Sequence, residues 1–181
     1  MFPGVYLGAC QTYGVAWRSS GGLMAFTIRA GRKGDEDLIF TLLYELAEYE
    51  KLLDRFHMTR ETIARDCLGE PPRLSCNLAC EGDAAVGIAT WYWTYAGFAA
   101  APGLYLEDLY VRPQYRGRGC GKALLAHLAK MAADAGAVRI DWLVLDWNKP
   151  SIDFYESLGA TRSNGWYTYR LEGEALKKMG R

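Results

Sequence analysis

The run Arg116-Gly117-Arg118-Gly119-Cys120-Gly121-Lys122 carries the strongest chemical signal in the chain. Three glycines in five residues are costly at a helix start unless the backbone must approach something closely. Leu124, Leu125, Leu128 and Met131 follow at helical spacing, so the glycines stand at a helix N-terminus. Amides exposed there, with the positive end of the helix dipole, favour a phosphate or diphosphate. Arg116, Arg118 and Lys122 reinforce that preference. A tight turn without any ligand is the competing reading of the same spacing.

Two nucleotide motifs compete for this run and fail. A P-loop needs glycine where Arg116 stands, and Ser or Thr where Ala123 follows Lys122. The dinucleotide fingerprint needs glycine where Lys122 stands. Asp141 does lie 20 residues beyond Gly121, but its surroundings predict the interior of a strand rather than its carboxyl end.

The elements that must position this turn read as follows. Ala25 to Arg29 is a short strand, with Phe26 and Ile28 alternating against polar neighbours. Over Asp35 to Tyr49, the spacing of Leu38, Leu42, Leu46 and Tyr49 predicts a helix with that stripe facing the core. Thr59 is the expected N-cap of a helix through Cys67, stopped by Gly69 and Pro71-Pro72. Leu74 to Glu81 and Ala84 to Tyr95 are strands joined at Gly82-Asp83. Gly97 to Gly103 is a loop, and Leu104 to Val111 a strand ended by Pro113. The glycine turn then opens a helix from about Gly119 to Ala135, with Gly136 as its stop. Ala137 to Leu145 is a strand, Pro150 starts a helix carrying Phe154, Tyr155 and Leu158, and Trp166 to Leu171 is a last strand. A short basic helix ends near Met179. This order predicts an α/β fold, a mixed sheet with helices on both sides.

Bulk properties narrow the function. The chain's 181 residues fit one domain, and half of them are hydrophobic. Residues 1–23 are read as a poorly ordered extension and residues 24–181 as the domain. The 21 basic and 21 acidic residues cancel, which argues against nucleic acid as a partner. No apolar run approaches the ~20 residues that span a bilayer, so no membrane is expected. Cys10, Cys67, Cys76, Cys80 and Cys120 show no paired metal spacing, and only His57 and His127 add imidazoles, so a metal site is not expected. Their odd count and scatter point to reduced thiols in a cytoplasmic protein. Asp35, Glu36, Asp37, Glu45, Glu48 and Glu50 make the first helical region acidic.

Arg116, Gly119 and Gly121 fill the pattern [Q/R]-x-x-G-x-[G/A] behind the strand Leu104-Tyr105-Leu106-Glu107-Asp108-Leu109-Tyr110-Val111. A second block, Asn148-Lys149-Pro150-Ser151-Ile152-Asp153-Phe154-Tyr155, leads into Gly159-Ala160. In this order the two resemble the acetyl-coenzyme A turn and the pantetheine segment of the GNAT N-acetyltransferase superfamily. Within it, Glu45 to Glu50, Leu104 to Asp108 and Trp147-Asn148 look most like the diamine acetyltransferases, which include the spermidine/spermine and thialysine enzymes. The likeness covers about residues 25–180 in element order.

The resemblance implies a GNAT fold, acetyl-CoA as cosubstrate, and direct acetyl transfer to a primary amine of a small cationic acceptor. Such an amine has a pKa near ~10.4 and must lose its proton before attack. Glu107 is the expected base or water relay, and Tyr155 the phenol that meets the departing thiolate. Leu109, Tyr110 and Val111 are expected to pair with pantetheine, Arg116 to Lys122 to hold the diphosphate, and Asn148 and Ser151 to meet the pantetheine end. Cys120 is not required as a nucleophile. For the acceptor, the resemblance points to Tyr49, Glu50, Glu107, Asp141, Trp142 and Leu143, where carboxylates beside aromatic faces suit an alkylammonium. Gly159 to Trp166 is shorter than in polyamine-acetylating members, and Asn164 stands near where an acidic residue is expected. A homodimer is the family's usual state. A protein or peptide amine as acceptor, or a regulatory acetyl-CoA-binding domain without turnover, are the alternatives.

Overall fold

A computed structural model of the protein describes residues 26–180, so the extension predicted over residues 1–23 lies outside the described residues. The residues up to Trp142 form one compact unit, and those from Leu143 onward form another.

The first unit is built on a five-stranded sheet in the order β1-β2-β3-β4-β5: β1 Thr27–Ala30, β2 Ser75–Glu81, β3 Ala84–Ala96, β4 Ala101–Val111 and β5 Ile140–Asp141. The first four strands are antiparallel neighbours, and β5 joins β4 in parallel. Local signals set most of this. Gly82 takes φ 58°, a left-handed conformation that glycine adopts without steric cost, and closes the β2–β3 hairpin where Gly82-Asp83 was expected.

Helices cover both faces of the sheet. α3 (Cys120–Asp134) lays Leu124, Leu128 and Ala132 on Phe26, Ile28, Ala79, Val86, Leu104 and Leu106. α1 (Glu36–Tyr49) and α2 (Arg60–Asp66) cover the opposite face, where Ile39, Leu42, Leu43, Leu46 and Ile63 meet Leu78, Ile88 and Tyr110. Each fully buried large aliphatic side chain of these layers is worth about 1.5–3 kcal/mol. The stripe of α1 is therefore centred one residue from the predicted one: Ile39 and Leu43 are in the core, whereas Leu38 is exposed. Thr59 caps α2 as expected, accepting from the Thr62 amide at 3.2 Å while Thr62 Oγ1 accepts from the Thr59 amide at 2.8 Å. Asp35 ties the start of α1 to β1 by a bidentate pair with Arg29, at 2.6 and 2.8 Å.

Three predictions are corrected. The loop expected over Gly97 to Gly103 is shorter, because β4 begins at Ala101 and pairs with Ala96. The strand expected over Ala137 to Leu145 shrinks to Ile140–Asp141, the stretch in register with Leu104 and Tyr105 of β4. Asp141 is consequently the strand's last residue, and the case against a dinucleotide site rests on Lys122 alone. The second unit contains α4 (Lys149–Ser157) and α5 (Gly173–Met179), and the strand expected over Trp166 to Leu171 is not formed. Alternation there is real, but a strand also needs a backbone partner in register, and Trp166, Tyr167 and Tyr169 are exposed instead.

Candidate functional site

β4 ends at Val111, Pro113–Tyr115 makes one 3-10 turn, and the glycine run follows. Gly117 takes φ 69° and Gly119 φ 87°, both left-handed, and Gly119 is the N-cap of α3. A Cβ on Gly117 would meet nothing within 4 Å, so the demand there is conformational rather than one of space. The first helical bond of α3 runs from the Ala123 amide to the Gly119 carbonyl at 2.9 Å. The amides of Cys120 and Gly121 precede it, and a glycine cap offers them no side-chain acceptor. Cys120 is buried in the core beneath the turn, and burial pushes its thiol up to about 12, which disfavours the thiolate.

Arg116 and Arg118, beside these glycines, are both engaged by the protein. Arg118 bonds the Glu81 carboxylate at the end of β2 and lies over the Phe26 and Tyr115 rings. Arg116 donates from Nε to the Val111 carbonyl at 2.8 Å, with its guanidinium over the rings of Tyr49 (4.7 Å) and Tyr110 (5.7 Å). Arg112 clamps the same corner to α1 through bidentate bonds to Glu45. Lys122 lies on the exposed side of the first turn of α3.

β4 presents the second part of the site. Its edge carries β5 only at Leu104 and Tyr105, so Leu109, Tyr110 and Val111 lie beyond the paired stretch. Its pairing with β3 shifts register: Thr90 opposes Asp108, whereas Trp91 opposes Leu106. Glu107 is the extra residue of a bulge, which re-aims side chains locally. Along β3, Ile88, Thr90 and Tyr92 share the face covered by α1 and α2. Glu107 is coupled to Tyr92, raising that phenol's pKa in addition to burial, and Thr90 Oγ1 donates to Asp108 Oδ2 at 2.5 Å. The bulge thus turns two consecutive carboxylates toward one face.

The C-terminus of α1 meets that face. Burial raises the Glu50 pKa, and the nearby charge of Asp108 raises it further. Asp108 is also raised by burial, against the pull of the Thr90 hydrogen bond. Two neighbouring desolvated carboxylates resist ionisation together. Tyr49, half-buried, ends α1 immediately before Glu50.

The remaining predicted residues divide between the units. Asp141 pairs with Arg139 at 2.6 Å, and Trp142 packs on the α3 side of the core. Leu143, in the second unit, is exposed. Asn148 is buried and caps α4, its Oδ1 accepting from the Ser151 amide at 3.4 Å. Tyr155 lies one turn on, half-buried, its ring 5.3 Å from that of Phe154.

Asp108 and Thr90 were missed from sequence. The available signal was a carboxylate pair, Glu107-Asp108, inside an otherwise apolar strand, where strict alternation would bury one of them. Among the described residues, no cluster of His, Cys, Asp and Glu is suited to a metal ion, and no helix is long and apolar enough to cross a membrane.

Residues 39–160 match the Acetyltransferase (GNAT) family. Thialysine N-epsilon-acetyltransferase of Bos taurus is 39% identical over 168 residues, covering 86% of this chain and 98% of the relative. L-ornithine N5-acetyltransferase of Arabidopsis thaliana is 41% identical over 93 residues, 51% of this chain and 41% of the relative. The integron cassette protein from the mobile metagenome of V. cholerae superposes with a TM-score of 0.75 at 27% identity, covering 88% of this chain and 99% of that one.

Proposed function

Because the chain belongs to the GNAT acetyltransferase family, we propose that it moves the acetyl group of acetyl-coenzyme A onto a side-chain amine of a small amino acid or diamine. The observation that carries this reading is the bulge at Glu107, which gathers Glu107, Asp108 and Glu50 on one face behind the glycine turn. Burial raises the pKa of Glu50 and Asp108, so both carboxylates favour a cation beside them, and a protonated amine supplies one.

The donor groups suit coenzyme A. The Cys120 and Gly121 amides at the start of α3 match a diphosphate, and the β4 edge that continues past β5 matches an amide-bearing pantetheine arm, which can add to a sheet edge like a peptide. Acetyl-coenzyme A supplies a thioester carbonyl that an unprotonated amine can attack. The chain's own residues then have separate tasks. Glu50 and Asp108 receive the ammonium and orient it. Glu107, exposed on the bulge, takes the proton directly or through water. By family resemblance, Tyr155 meets the thiolate and gives it a proton, while Asn148 and Ser151 contact pantetheine.

The bovine and plant relatives are named for thialysine and ornithine, both amino acids whose side chains end in a primary amine. That supports a short acceptor, as does Asn164 near where an acidic residue is expected for a long polycation. The cytoplasmic expectation rests on the count and scatter of the cysteines in the sequence, and the homodimer expectation on the family resemblance alone. Thiol release from acetyl-CoA should be measured with thialysine, ornithine, lysine, putrescine, spermidine and a basic peptide. Turnover with a small amine is expected; turnover with the peptide alone would overturn the reading.

A further inference from the structure

Arg116 opens the glycine turn, yet its head points away from a purely coenzyme role. Nε is fixed on the Val111 carbonyl at 2.8 Å, and the guanidinium lies 4.7 Å from the Tyr49 ring centroid and 5.7 Å from that of Tyr110. Tyr110 is buried in the core, so the guanidinium has a rigid wall on one side. Tyr49 is half-buried at the last position of α1, and Glu50 follows it.

We propose that Arg116 is a positioning residue for the acceptor amine: anchored on Val111, it holds the Tyr49 ring, and through it the Glu50 end of α1, in the place where the acceptor docks. This rests on the reading above in which Tyr49 and Glu50 face the acceptor. One consequence concerns charge. A ring face already covered by a guanidinium cannot also bind an alkylammonium, because the two cations repel. The acceptor's charge therefore falls to Glu50 and Asp108, and Tyr49 contributes shape rather than cation–π attraction. A second consequence is that the turn and the acceptor pocket share one side chain.

The test uses a coincidence of side-chain length. The amide nitrogen of glutamine lies as many bonds from Cα as Nε of arginine. Arg116→Gln therefore keeps a donor for the Val111 carbonyl and removes only the head that lies on Tyr49. The steady-state KM for the amine that the wild type acetylates fastest, among thialysine, ornithine and spermidine, should rise about two- to five-fold, the range of an exposed cation–π contact. Acetyl-CoA affinity, measured by calorimetry without amine, should stay within twofold. Tyr49→Phe keeps the ring, so Arg116→Gln should raise KM in that background as in the wild type. In a Tyr49→Leu background it should have no further effect. Equal KM values for Arg116→Gln and wild type, or multiplying effects of Arg116→Gln and Tyr49→Leu, would overturn the inference. Should the glutamine variant fail to fold, Arg116→Lys takes its place: its single ammonium cannot both bond the Val111 carbonyl and lie on Tyr49, so KM should rise by about twofold, the low end of that range, and an unchanged KM would overturn the inference. A wild type that binds acetyl-CoA but acetylates none of the three amines overturns the functional reading, and this inference with it.

Discussion

Replacing Asp108 by Asn separates function from stability more cleanly than any other change in the site. Asn keeps an oxygen that can accept the Thr90 hydroxyl bond now made at 2.5 Å, so the local geometry survives. What disappears is a charge facing the acceptor. A hydrogen bond to a charged group contributes about 1.5–3 kcal/mol, so kcat/KM for the amine should fall by about 10- to 150-fold. Stability should move the other way. Burial raises the Asp108 pKa in the folded chain, so the folded state binds the proton more tightly than the unfolded one. The charged form then costs stability as pH rises through the folded pKa, and costs nothing below the unfolded pKa near ~3.9. Neutralising the residue also relieves Glu50 of a like charge. Urea unfolding should therefore show Asp108→Asn equal to or more stable than wild type at pH 7, with the difference shrinking toward acid. Unchanged kcat/KM, or a variant less stable than wild type at pH 7, would refute the reasoning.

Tyr155→Phe should lower kcat while leaving acetyl-CoA affinity within about threefold, because only the phenolic proton is lost; unaltered turnover removes Tyr155 from the mechanism. A separate pH effect lies in the core. Trp91 Nε1 donates to Asn77 Oδ1 at 2.7 Å, so Asn77 Nδ2 must donate to His127 Nε2 at 3.2 Å, which requires an unprotonated Nε2. Burial lowers the His127 pKa, so its contribution is complete above the unfolded value near ~6.5 and lost as pH falls below it. Urea midpoints at pH 7.5 and 5.5, followed by tryptophan fluorescence, should drop more for wild type than for His127→Gln; identical drops contradict this.

Features fixed by neighbouring residues were legible in the sequence. The Thr59 cap, the Gly82-Asp83 hairpin and the glycine turn with its helix all follow from local backbone preference and appear where expected. Features set by pairing between distant segments were not. Whether Ala137 to Leu145 becomes a strand depends on how much of β4 it can meet, and β4 offers it Leu104 and Tyr105. Aromatic alternation at Trp166 to Leu171 likewise cannot reveal whether a partner exists. The bulge belongs to the register between β3 and β4 and to neither strand alone, so Glu107 could be singled out while Asp108 passed unnoticed.

Titration calorimetry of the folded protein with acetyl-CoA, beside Gly119→Val, addresses the central claim most directly. Gly119 holds φ 87° at the cap of α3, a conformation that costs a residue with a Cβ about 1–2 kcal/mol and is worse for a β-branched one. The account predicts saturable binding by the wild type and none by the variant, with both still folded by circular dichroism. Equal affinity in the two proteins, or a folded wild type that ignores millimolar acetyl-CoA, would contradict it.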